Sequence, residues 1–366
     1  MHQDLSSIIQ EQVEEAYRTE SPLTITGNDT KHFYGQAIQG TPLIISQHRG
    51  VINYEPTELV ITARAGTPLN EIDELLEEHG QQLAFEPPHF KINNLDNNEQ
   101  QIATLGGTIA CGISGPARAN NGAARDFVLG CEVINGKGEQ LKFGGQVMKN
   151  VAGYDVSRLI CGSFGTLAAI LNVSLKVLPK PETTISLGFA LSREDAYKKL
   201  NTLNNKPYPI TASCYYDGQL TVRLAGNEKA VKATQNKLGG ELIENSSQFW
   251  HSIREQQHSF FNTDQPLWRI STKPTSTLNI DTDKKTGYLS EWHGALHWIK
   301  TNTPANILRQ HVEQLGGHAT LFRNARSQDE IFHPLSTPLF NLHKKLKNAF
   351  DPKNILNRNK MYKINL

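Results

Sequence analysis

The feature that most constrains this chain is where its glycines fall. Thirteen of the 28 lie within the 63 positions from Ala103 to Gly165, where even spacing would leave about five. They are interleaved with apolar runs, Phe127-Val128-Leu129, Cys131-Glu132-Val133-Ile134 and Leu167 to Val177. A flexible linker lacks such runs, so these glycines belong to packed structure. A residue without Cβ is needed where the backbone takes positive φ or must approach another group closely, and phosphates are recognised by converging N–H groups. The region therefore reads as part of a site for a large diphosphate-bearing cofactor.

Around it the patterning is α/β. Residues 8 to 17 predict a helix, Leu23 to Thr26 a strand entering the polar turn Gly27-Asn28-Asp29-Thr30, and Leu43 to Ser46 and Leu59 to Ala63 two further strands. After Gly66, Thr67 reads as an N-cap with Pro68 in the first helical position; Leu69, Ile72, Leu75 and Leu76 share one face and Gly80 stops the helix. Asn135-Gly136-Lys137-Gly138 is a hairpin signal. Leu178-Pro179-Lys180-Pro181 interrupts strand structure and marks a boundary. Beyond it, Ser213–Tyr216 and Leu220–Leu224 flank Asp217-Gly218 as a hairpin. Strands are expected at Leu267–Ser271, Ala295–Lys300 and Ala319–Phe322, and helices at Asn227–Leu238 and from Thr303-Pro304 to Gly316. The expected organisation is a glycine-rich domain over 1–180, a smaller α+β domain over 181–340, and a segment 341–366 returning toward the first.

Composition removes several function classes. With 37 basic against 36 acidic residues there is no electrostatic footprint for nucleic acid. The N-terminus lacks the basic and apolar regions of a signal peptide, and Leu159 to Leu178 is broken by Gly162, Gly165, Asn172 and Lys176. It falls short of the roughly 18 apolar residues of a spanning helix. A soluble, cytoplasmic protein without direct membrane insertion is expected. Cys111, Cys131, Cys161 and Cys214 stand 20, 30 and 53 positions apart. With no C-x-x-C pair they read as reduced, mostly buried thiols rather than zinc or iron–sulfur ligands.

Two segments offer the convergent donors a diphosphate needs. One is Gly27-Asn28-Asp29-Thr30-Lys31; the other is Thr104-Leu105-Gly106-Gly107-Thr108, continued by Gly112, Ser114 and Gly115. Neither is a G-x-G-x-x-G or a G-x-x-x-x-G-K-S/T motif, which argues against NAD and ATP.

The order of the pieces carries a resemblance. The turn after Ile25 is followed by Leu59-Val60-Ile61-Thr62-Ala63-Arg64-Ala65-Gly66-Thr67, Phe85-Glu86-Pro87-Pro88, Gly106-Gly107-Thr108, Arg125 to Gly130, and Gly162-Ser163-Phe164-Gly165-Thr166-Leu167. This resembles the FAD domain shared by vanillyl-alcohol oxidase and para-cresol methylhydroxylase (PCMH). Within that family, Phe143 to Asp155 and Cys214-Tyr215-Tyr216 are similar to the FAD-binding subunit of bacterial glycolate oxidase. The resemblance implies an α+β architecture: a PCMH-type FAD-binding domain of two α/β subdomains with a smaller α+β C-terminal domain. It also implies FAD with its diphosphate on the Gly27–Lys31 and Gly106–Gly107 loops and its adenine side near Gly165 to Ile170. The cofactor-binding residues it implies are Gly27, Asn28, Asp29, Thr30, Lys31, Pro87, Gly106, Gly107, Thr108, Ser114, Gly115, Gly162, Gly165, Thr166 and Ile170.

Departures from the family pattern refine this. Thr30 stands where a flavin-linking His occurs in relatives, and His32 lies two places late, so FAD is expected to be non-covalent. Phe164 and Ala168 replace Glu and Gly, and Asn357-Arg358-Asn359-Lys360 replaces Asn-Pro-Gly-Lys or Arg. Relatives that oxidise 2-hydroxy acids carry Gly-His, two residues, Asp-Gly-Asn, one residue and His; here only Gly317-His318 survives. His293 and His297, four apart on an expected strand, would stand about 13 Å from each other and share no metal. The resemblance thus implies an FAD-binding redox subunit of a glycolate oxidase complex, with a catalytic flavin subunit and an iron–sulfur subunit as partners. A self-sufficient 2-hydroxy-acid dehydrogenase and a flavin-free scaffold subunit stay open. The Lys344-Lys345-Leu346-Lys347 run reads as a solvated helix face before a docking patch.

Overall fold

The structure, a computed structural model, describes residues 3–93, 100–145, 155–276, 278, 280, 287–326 and 329–364. It divides into two compact units. The first holds Met1–Ser114, Ala123–Pro179 and Pro334–Leu366, and the second holds Gly115–Gly122 and Lys180–His333.

The first unit opens with helix α1 (Ser6–Thr19), which buries Ile9, Val13 and Ala16 at helical spacing. Strands β1 (Leu23–Thr26) and β2 (Thr41–Ile44) pair in parallel. A separate five-stranded antiparallel sheet contains β3 (Val51–Glu55), β4 (Val60–Arg64), β5 (Val128–Asn135), β6 (Gln140–Gly144) and β7 (Ala168–Lys176), in the order β3-β4-β7-β5-β6. Seven of the nine residues of β7 are buried, Ser174 among them, as a central strand covered on both faces requires. The Asn135–Gly138 turn joins β5 to β6 as expected, with Gly138 at φ +84°. The two runs on either side of Gly130 form one strand.

Helix α2 (Leu69–Glu77) buries Leu69, Ile72 and Leu76, as its periodicity predicts. Its cap differs from the expectation. Pro68 occupies the N-cap position with extended backbone, and the Thr67 hydroxyl accepts instead from the Gly50 N–H at 2.9 Å. Thr67 sits on the tight turn after Gly66, where an added Cβ would fall 2.2 Å from the Ile45 carbonyl oxygen; tertiary packing, not the helix, claims its side chain. Helix α3 (Leu105–Cys111) carries Thr104 as N-cap, and helix α4 (Thr337–Phe350) brings the chain back into this unit.

The second unit is built on an eight-stranded sheet. Its strands are β8 (Thr183–Ala190), β9 (Ile210–Tyr216), β10 (Gln219–Gly226), β11 (Glu241–Leu242), β12 (Leu267–Ser271), β13 (Tyr288–Glu291), β14 (Leu296–Lys300) and β15 (His318–Arg323). They follow the order β11-β8-β10-β9-β13-β14-β12-β15. Asp217 and Gly218 both take positive φ, 46° and 80°, in the β9–β10 turn, the geometry that selects Asp-Gly in a two-residue hairpin. The helices expected in this unit occur at Glu228–Leu238 and Ala305–Gln314. Among the described residues no helix is long and apolar enough to cross a membrane.

All four cysteines are free; Cys131 and Cys214 are buried and Cys111 and Cys161 half-buried. Burial pushes the Cys131 and Cys161 thiols up to about 12, so they act as small apolar groups.

Candidate functional site

In the first unit a cleft of about 420 Å³ opens against β1 and the start of α3, within the size range of small-molecule and cofactor sites. One wall is the Gly27–Lys31 turn. Asp29 takes φ +50°, and the Asn28 amide donates to the Ile102 carbonyl at 2.8 Å. Among the described residues none accepts from the backbone N–H groups of Gly27, Asn28, Asp29 or Thr30. A run of such donors in a tight turn is a concavity for anions.

The facing wall is the α3 start. The Thr104 hydroxyl sits between the two loops: it accepts from the Gly107 N–H at 3.3 Å, and a Cβ on Gly27 would come within 2.4 Å of it. A Cβ on Gly107 would point toward Lys31, with Nζ 3.9 Å away. The first loop therefore closes on Thr104 because Gly27 lacks a side chain, whereas a Cβ on Gly107 would meet Lys31 only at ordinary contact distance. Most amides on this wall are engaged elsewhere. Leu105 donates to the Thr67 carbonyl, Gly106 to Ala65 and Thr108 to Thr104. Gly106 is needed for contact, since a Cβ there would lie 2.6 Å from that of Ala65.

Of the residues implied by sequence, Gly27, Asn28, Asp29, Thr30, Lys31, Gly106, Gly107, Gly165 and Ile170 line this cleft. Six do not. Pro87 and Thr108 are buried away from it. The Ser114 hydroxyl accepts from the Ala124 N–H, and the Gly115 carbonyl, in the second unit, accepts from the Trp292 indole. Gly162 and Thr166 face a separate cavity of about 220 Å³. Gly162 donates to the Ile109 carbonyl, and the Thr166 hydroxyl to that of Ser163. Residues 146–154 of the Phe143–Asp155 motif lie outside the described residues.

Other lining residues, among them Tyr34, Phe164, Asn357 and Lys360, were not assigned to the site from sequence. Tyr34 and Phe164 form one wall, their rings edge to face at 4.9 Å, with Phe164 at φ +55°. Asn357 accepts from the Ile25 N–H and donates to the Phe164 carbonyl, both at 2.7 Å, and Lys360 lies beside it. The run Asn357-Arg358-Asn359-Lys360 had a legible signal, because Asn tolerates the left-handed conformation that Asn354, Asn357 and Asn359 adopt. Exposed His32 sits at the rim, its Nδ1 3.1 Å from the Asp29 carbonyl.

Charge in the cleft is mainly basic: Lys31 and Lys360 line it with Asp29. Burial lowers the Lys360 ammonium and raises the Cys111 thiol. The cleft thus combines open backbone donors, missing Cβ atoms and cations, the chemistry that holds a phosphorylated cofactor.

In the second unit the two histidines near residue 295 have separate partners. His293 Nε2 is 2.7 Å from Asn120 Oδ1. His297, in β14, lies between Thr272 Oγ1 at 2.8 Å and the Tyr288 hydroxyl at 2.6 Å. Burial pushes His297 down to about 3. His293 is not part of a strand; it sits in a left-handed turn at φ +58°. Among the described residues no three His, Cys, Asp or Glu side chains are grouped to hold a metal ion.

An FAD binding domain family matches residues 6–144. The chain is similar to glycolate oxidase subunit GlcE of Escherichia coli (strain K12), with 44% identity over 359 residues that cover 98% of each chain. It is also similar to glycolate oxidase subunit GlcD of Bacillus subtilis (strain 168), 32% identical over 148 residues, 40% of this chain and 29% of that one. Among solved structures, an alkyldihydroxyacetonephosphate synthase superposes with a TM-score of 0.64 at 15% identity, covering 95% of this chain and 73% of the other. That likeness is one of fold. A PCMH-type FAD-binding fold and near full-length identity to one relative lead to one assignment: the chain belongs to the oxidoreductase family of the FAD-binding subunit of glycolate oxidase.

Proposed function

We propose that this chain is the FAD-binding redox subunit of a glycolate oxidase complex that oxidises glycolate to glyoxylate, and that it holds FAD non-covalently. The observation that carries the reading is the row of open N–H groups from Gly27 to Thr30, facing Gly107 across Thr104 with Lys31 beside them. The donors and lysines would bind the diphosphate, while Gly165 and Ile170 would border the adenine side. When bound, FAD supplies an acceptor for the hydride equivalent leaving the hydroxyl-bearing carbon of glycolate. Thr30, where a linking histidine would stand, and exposed His32 at the rim favour non-covalent binding.

Substrate oxidation is assigned to a partner flavin subunit of the same fold, with electrons leaving through an iron–sulfur subunit. The motif Gly317-His318-Ala319-Thr320-Leu321 supports this, because it lacks the acidic residue and second histidine of self-sufficient relatives. Any membrane association is assigned to the partners, with this chain on the cytoplasmic side.

The test is separation of the subunits followed by flavin analysis. The purified chain should carry near-stoichiometric FAD, released into the supernatant on acid denaturation. It should reduce no dye with glycolate until its partners are added. A colourless chain that takes up no FAD sinks the binding reading, and flavin in the pellet sinks the non-covalent one. Dye reduction by the chain alone at the rate of the complex sinks the division of labour.

A further inference from the structure

Near the C-terminus a lysine that sequence places on a solvated helix face is buried. Lys344 and Lys345 on α4 are exposed, but Lys347 is 4% exposed. Its ammonium donates to the Thr166 carbonyl at 2.7 Å, the Leu356 carbonyl at 2.8 Å and the Asp351 carboxylate at 2.6 Å. Asp351 has no exposed surface and accepts in turn from the N–H groups of Ile355 and Leu356. The pair is satisfied on both sides, as a buried ion pair must be to persist.

What the pair fixes is the course of the following segment. The Leu23 N–H donates to the Ile355 carbonyl, the Asn357 N–H to Leu23, the Lys360 N–H to Asn357, and the Gln36 N–H to Lys360. Asn357 then ties β1 to the Phe164 carbonyl through its side chain. Lys360 is thus held by its backbone on both sides, and its side chain runs over Gly35, where an added Cβ would meet Lys360 Cε at 2.9 Å. That course delivers the side chain to the same cleft as Lys31. Burial disfavours its charge more than the Asp29 carboxylate favours it, so an anion in the cleft would complete its environment.

We propose that Lys360 is a second cationic contact to the diphosphate of the bound cofactor, opposite in sequence to Lys31, and that the Lys347–Asp351 pair is the positioning device that holds it there. The inference rests on the FAD reading above. It places both ends of the chain in one anion site, a contact of the C-terminal segment that no local motif announces.

The test is the FAD dissociation constant of the full-length chain, by flavin fluorescence, at low and high salt. Lys360→Met should weaken binding about tenfold at low salt and only about threefold near 0.5 M, because a screened charge contact is what has been removed. Lys360→Arg, which keeps the charge, should stay within about threefold of the parent at both. The proposal is overturned if K360M binds within about twofold of the parent, if its loss is the same at both salts, or if K360R loses as much as K360M. An unmodified chain that takes up no FAD instead overturns the cofactor reading itself. A separate readout addresses positioning. Asp351→Asn should expose the segment after Phe350 to limited proteolysis of the apoprotein while weakening FAD in parallel; a segment as resistant as in the parent would remove the pair from this role.

Discussion

The two glycine loops of the cleft look alike in sequence and do different work. The Gly27–Lys31 turn has one glycine and four open amides. The Gly106–Gly107 segment has two glycines, yet its amides are mostly taken by Ala65, Thr67 and Thr104. In the first loop glycine lets the turn close on Thr104 and leaves its donors free. In the second it lets α3 approach β4 and its following turn, with Gly106 against Ala65. Counting glycines locates a site, but only the hydrogen-bond accounting says which loop can give N–H groups to a ligand.

If that division holds, substitutions on the packing side cost stability and those on the donor side cost affinity. The largest effect is expected from Asp351→Ala, which leaves Lys347 as an uncompensated buried charge. About 3–5 kcal/mol should be lost in denaturant unfolding; a loss below about 1 kcal/mol would mean that the pair is dispensable for packing. Next is Gly106→Ala, whose methyl must displace Ala65. It should cost about 2 kcal/mol in the apoprotein, and unchanged stability with weakened FAD would reverse the roles of the two loops. Lys31→Met should leave apoprotein stability within about 0.5 kcal/mol, as surface-type changes do. It should weaken FAD about tenfold, or ~1.4 kcal/mol, by equilibrium dialysis at low salt. The smallest effect is predicted for His32→Ala. Affinity should hold within about twofold, and acid should release the flavin as before; retention of flavin by the parent but not by H32A would identify a covalent link.

Local chemistry was readable along the chain. Asp217-Gly218 and Asn135–Gly138 dictated their turns through positive φ, and β7 announced itself as a largely apolar run interrupted only by Asn172, Ser174 and Lys176. The α2 cap was misread because the Thr67 hydroxyl answers to Gly50, 17 residues away. Lys347 was misread because its partners include the Thr166 carbonyl, 181 residues away. Ser114 and Thr166 stand in glycine-rich stretches that look like ligand loops, yet their hydroxyls serve neighbouring backbone.

Sequence by itself determined that a diphosphate cofactor domain is encoded here, and through the Thr30 and His318 positions it narrowed the chemistry expected of it. Those are properties of residue type: missing Cβ atoms, hydroxyls and imidazoles at given places. The tertiary structure decided which N–H groups stay open, and that Asn357 and Lys360 join a site begun at Gly27. The physical reason is that backbone donors are available only where no other acceptor claims them. For Lys360, the buried Lys347–Asp351 pair fixes the path of the chain that carries its charge to the cleft.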